Sequence, residues 1–101
     1  MPGFTSEPAQ LFAAAAALSD QAATGRGELA RLAADAQDLF TSGWRGVAAS
    51  AFADSWRRWH DGAALVLAAL ERNAAALDRC AGAYAAAEQA SRAAVTREVG
   101  R

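Results

Sequence analysis

Leu39-Phe40-Thr41-Ser42-Gly43-Trp44-Arg45-Gly46-Val47 is the stretch on which the fold turns. Two hydroxyl residues followed by two glycines within four positions stop a helix and reverse the chain. A tryptophan in such a turn can lay its indole across the helix ends and lock them. The glycine after it accepts a backbone angle, or a close approach, that other residues refuse. On Trp44-Arg45-Gly46 alone, a loop tryptophan that merely covers the end of a core is an equal reading. The flanking sequence adds to what the turn can mean.

Upstream, Leu11, Ala15, Leu18, Ala22, Gly25, Leu29, Leu32, Ala36 and Leu39 follow one another at alternating spacings of four and three. That is a coiled-coil seam, with Asp20, Arg26, Glu28, Arg31, Asp35 and Asp38 on the solvated side. Thr5, Ser6, Glu7 and Pro8 supply cap candidates, an acid and a first-turn proline, the marks of a helix start. Gly25-Arg26-Gly27 interrupts the pattern, since each glycine costs roughly 1 kcal/mol against alanine in a helix. Either the helix breaks there, or it continues with a weak point or a close approach to a neighbour. The seam passes through Gly25 without a phase change, which favours continuity.

Downstream, Phe52, Trp56, Trp59, Ala63, Val66, Leu70, Asn73, Leu77, Cys80 and Tyr84 repeat the periodicity, and Leu67, Ala74, Ala81 and Glu88 form a row beside it. With Leu65 also apolar, the stripe is broader than a single antiparallel partner covers, and it suits a four-helix bundle. The expectation is one all-α domain over residues 1–101. It is an antiparallel helix-turn-helix hairpin that dimerises: helix 1 about 8–41, turn 42–46, helix 2 about 47–90, and a flexible tail 91–101.

Composition agrees. Alanine, the best helix former, supplies 31 of 101 residues, there is no isoleucine, and both prolines lie in the first eight positions. A chain this short buries a limited core, so a partner chain is the natural remedy. Net charge is −1, every basic residue is arginine, and the arginines alternate with acids, so the basic stripe of a nucleic-acid binder is missing. The lysine-free, alanine-rich content points to a GC-rich genome such as an actinobacterium's. The amino terminus has no basic region suited to a signal peptide, and the longest uncharged stretch is far short of the about 20 residues a membrane span needs.

Chemistry is sparse. Cys80 is the sole cysteine and falls on the seam, so a buried apolar role is expected and a thiol metal site is not. His60-Asp61 has the flavour of a catalytic pair, but neighbours on a helix point about 100° apart and no nucleophile accompanies them. Trp56-Arg57-Arg58-Trp59-His60 places both tryptophans on one face with the arginines off it, which is core packing with a surface histidine rather than a membrane or nucleic-acid patch. No catalytic residue, metal or cofactor is expected. A small metal or ligand-binding enzyme is improbable.

Further on comes Tyr84-Ala85-Ala86-Ala87-Glu88. Taken with the midchain Trp44-Arg45-Gly46, it makes the chain resemble the WXG family of hundred-residue proteins exported by type VII (ESX-type) secretion systems, the early-secreted-antigen-like proteins. The likeness covers roughly Ala9 to Glu88 and includes Trp44 to Trp56, with Phe52 four residues before Trp56. Glutamate at position 88, where aspartate is commoner, and the Gly25/Gly27 pair depart from the family pattern. The resemblance implies a non-enzymatic protein, virulence-type in many relatives. Such a protein pairs with itself or with a paralogous WXG-type chain into a four-helix bundle and leaves the cytoplasm without a cleaved signal peptide. It also implies an export signal in which Trp44 and Gly46 of one chain join the Tyr84/Glu88 element of another before an FtsK/SpoIIIE-type ATPase. The seam Leu11, Leu18, Leu29, Leu32, Leu39, Phe52, Trp56, Trp59, Val66, Leu70 and Leu77 would then be core or dimer contact. The plain alternative for Tyr84 is the last core residue of that seam. The alternative for the chain is a non-exported adaptor or chaperone-like partner of a larger toxin or effector.

Overall fold

A computed structural model describes residues 7–100. It is a hairpin of two helices, α1 (Glu7–Thr41) and α2 (Val47–Val99), 35 and 53 residues long. Its extents are 83 × 21 × 16 Å, the dimensions of a rod two helices thick. The cap candidates Thr5 and Ser6 lie outside the described residues.

α1 is continuous through Gly25-Arg26-Gly27. Gly25 serves a close approach: a Cβ built there would sit 2.5 Å from Leu67 Cδ2. Nothing lies within 4 Å of a Cβ at Gly27, so that glycine has no packing reason. α2 continues to Val99, past the end near residue 90 that the sequence suggests, and every side chain over 91–99 is exposed. Helix propensity explains the extension, because Ser91 to Val99 contains neither glycine nor proline.

The contact between the helices is made by small residues. On α1 the buried positions are Pro8, Ala15, Ala22, Leu29 and Ala36, one every seventh residue. On α2 they include Leu67, Ala74 and Ala81, again at intervals of seven. Alanine at these rows lets two long helices approach closely, and the unbroken interval of seven marks a left-handed supercoil. The row Leu67, Ala74, Ala81 is thus the one that seals the hairpin, and the bulkier row beside it faces away. Phe52, Trp59, Val66 and Cys80 are exposed, as are Leu32 and Leu39 on α1. Exposure of Cys80 corrects the buried role expected for it: its row turns outward because the alanine row takes the inter-helix position.

Among the described residues one ion pair crosses the hairpin, at mid-length. Arg26 donates from Nε and Nη2 to the two carboxylate oxygens of Glu71, each at 2.6 Å. This fork-on-fork geometry raises the arginine above its ordinary value and lowers the glutamate below its own, chiefly through the hydrogen bond itself. The pair is exposed, so it fixes register more than it adds stability.

Candidate recognition surface

The turn is built from the backbone outward. Near the end of α1, the Thr41 hydroxyl donates to the Gln37 carbonyl at 2.9 Å and the Ser42 hydroxyl to the Leu39 carbonyl at 2.8 Å. The chain then passes Gly43 at φ 104° and Gly46 at φ 106°. Gly46, with ψ −174°, occupies a region open essentially to glycine alone, and its carbonyl accepts the Ser50 N–H at 3.0 Å to start α2. The glycine of the W-x-G tripeptide is therefore demanded by the geometry of the reversal.

Trp44 does not dangle from this turn. Its indole lies parallel to the Phe40 ring, with centroids 6.3 Å apart and 5° between planes. It meets Phe52 at 5.5 Å, and Phe40 meets Phe52 at 5.8 Å. Three rings from the end of α1, the turn and the start of α2 close the hairpin, while Trp44 and Phe52 keep part of their surface open to solvent. Four positions on, Trp56 stacks on Trp59 at 5.3 Å and touches His60 at 5.9 Å. His60 is half-buried against that indole rather than a free surface residue, and its Nδ1 is 3.5 Å from Asp61 Oδ1, too long for a good hydrogen bond.

Tyr84 lies at the other end. It borders a shallow depression with Glu7, Gln10 and Leu11, the first turns of α1, and is half exposed. Glu88, one turn further along α2, is 3.8 Å from the Arg92 guanidinium. Residues 85–99 therefore overhang the start of α1. Trp44 and Gly46 are together at the turn end of the rod, and Tyr84 and Glu88 lie about 57 Å along α2 from Gly46, beside the start of α1. The two halves of the motif do not meet within one chain.

Between them runs an apolar face. Leu11, Leu18, Leu70, Leu77 and Trp56 are partly covered, Leu29 is buried, and Leu32, Leu39, Phe52, Trp59 and Val66 are exposed. Trp59 is 53% exposed and Val66 60%. Leu32, Trp59, Ala63 and Val66 line one shallow groove there with Gly25 and Leu29. Sequence reasoning named the residues of this face and of the tripeptide and Tyr84/Glu88 elements. It missed the Arg26–Glu71 pair, whose partners are 45 residues apart with no periodic link. It also missed Phe40 in the turn cluster, although the spacing of four to Trp44 was a visible signal. Among the described residues no group of three or more His, Cys, Asp or Glu is placed to hold a metal ion, and no helix is long and apolar enough to cross a membrane.

A two-helix rod closed by a W-x-G turn is the architecture of the small helical type VII secretion proteins. Residues 4–89 match the WXG100 family, the proteins of 100 residues with WXG, and the chain belongs to that family. It is 39% identical over 94 residues to the ESAT-6-like protein EsxF of Mycobacterium tuberculosis, in both the CDC 1551 / Oshkosh and the H37Rv strains, covering 93% of this chain and 89% of the relative. No solved structure matches the chain.

Proposed function

We propose that this chain is a non-enzymatic substrate and partner of a type VII secretion machine, which pairs with a second helical hairpin and carries half of a two-chain export signal. Family membership and the likeness to EsxF support the class. The observation that carries the finer reading is the separation of Trp44 from Tyr84 along the rod. With about 57 Å of α2 between Gly46 and Tyr84, a turn comes beside a tyrosine only if two hairpins lie antiparallel. The apolar face from Leu11 and Leu77 to Leu39 and Phe52 gives the partner, a paralogous WXG-type chain or a second copy, its contact surface. Pairing then assembles Trp44 and Gly46 of one chain with the tyrosine-and-acid element of the other, for recognition by an FtsK/SpoIIIE-type ATPase. Export takes the protein from the cytoplasm to the envelope or the medium.

The test is Tyr84→Ala beside the native chain in a strain with a working type VII machine. Tyr84 is half exposed and beyond most of the covered core, so the variant should still pair by light scattering while its secreted fraction falls at least about tenfold. Normal export of a paired Tyr84→Ala protein contradicts the signal. Normal function with no export of either form favours the cytoplasmic adaptor instead.

A further inference from the structure

The face opposite the apolar one has a symmetry of its own. Phe12 and Phe40 lie 14 residues either side of Arg26 on α1, at whole multiples of the seven-residue repeat, so all three point the same way. On α2, Arg57 and Asp78 lie equally far from the Leu67/Ala68 boundary, also a whole number of repeats apart. Phe12 and Asp78 border one depression of this face, and Phe40 and Arg57 border another. The two centres were found on separate helices, yet they coincide in space. Gly25 rests on Leu67, and Arg26 is clamped to Glu71 beside them.

We propose that this face docks a second copy of the same chain, antiparallel, about a two-fold axis through the Arg26/Leu67 layer. In that register Arg57 of each copy stands over Asp78 of the other, and Phe12 of each over Phe40 of the other. Among the described residues neither Arg57 nor Asp78 has an ion-pair partner in its own chain, so both are available. Phe12 is 42% exposed, and Phe40 is partly covered by Trp44 and Phe52. The axis brings Arg26 of the two copies together, each already neutralised by its own Glu71. Asp54 and Asp61 flank Arg57 on its own helix, one turn to either side, and Arg57 stands nearer than either to the level of the other copy's Asp78. An isologous contact is self-complementary, and an opposite-charge pair repeated by the axis is its mark. The contact adjoins the pairing face at Trp56, which also borders the Phe40/Arg57 depression, and is otherwise distinct from it; it joins hairpins, or pairs of hairpins, into a larger unit.

The test is a charge exchange read by sedimentation and multi-angle light scattering at low and high salt. Arg57→Glu alone and Asp78→Arg alone each place like charges opposite one another twice. Each should weaken the association step by at least about tenfold, with helicity by circular dichroism unchanged. Combining Arg57→Glu with Asp78→Arg restores the attraction and should recover the native mass distribution. Single variants that associate like the native chain, or a combined variant that stays dissociated, overturn the proposal. Val66→Glu on the opposite face reports on pairing separately: if it changes nothing while the exchange behaves as stated, the pairing reading fails and this one stands.

Discussion

At the scale of single residues, the account rests on Gly46 and the rings around Trp44. Gly46 holds φ 106° and ψ −174° with open space where a Cβ would stand, so a side chain there meets backbone strain rather than a clash. Gly46→Ala should cost about 1–3 kcal/mol, the usual cost of forcing a non-glycine residue into such a region. Chemical denaturation followed by circular dichroism checks it, and an unchanged midpoint would show that the turn relaxes at no cost. The need for a glycine was legible in the tripeptide, because a turn this tight requires one. That Trp44 would stack on Phe40 was not, since a tryptophan in a loop is equally at home covering a core end. Cys80 shows the same limit. Its seam position is plain in the sequence, but which of two adjacent rows turns inward depends on how closely the helices approach.

At the scale of the helices, closeness of approach decides which glycine matters. Gly25 and Gly27 look equivalent as helix weakeners, and each costs roughly 1 kcal/mol against alanine in that respect. The structure separates them. Gly27→Ala has open space and should raise the unfolding temperature, by roughly 1 kcal/mol of added stability. Gly25→Ala drives a methyl group to 2.5 Å from Leu67 Cδ2, so that side chain must shift, and the cost offsets the helical gain and leaves this variant melting below Gly27→Ala. Parallel thermal melts of the two variants check the contrast, and two equal shifts would contradict it. The unbroken heptad phase through Gly25 was the sequence's evidence for continuity. The extent of α2 was harder to read, because alanine-rich sequence stays helical after its apolar row has thinned. Helicity and docking are separate properties: residues 91–99 have the first without the second.

At the scale of the whole molecule, a rod of two helices seals itself with alanines and leaves its larger apolar side chains outside. Val66 and Trp59 are 60% and 53% exposed, and Leu32, Leu39 and Phe52 are exposed with them on one molecule of 101 residues. A monomer rarely keeps so much contiguous apolar surface in water. The breadth of the stripe was visible in the sequence as more than one antiparallel neighbour covers. The sequence could not say which residues the hairpin itself would use. The central claim is that this face is covered by an antiparallel hairpin, so that each turn lies at the other chain's tyrosine end. Pulsed dipolar spectroscopy on the purified pair tests it most directly, with spin labels at both turns, placed here by Arg45→Cys in a Cys80→Ser background. The account predicts turn-to-turn distances of about 50 Å, the length of α1 at 1.5 Å per residue. Turn labels within about 20 Å of each other, or a monodisperse and sharply melting monomer, would contradict it.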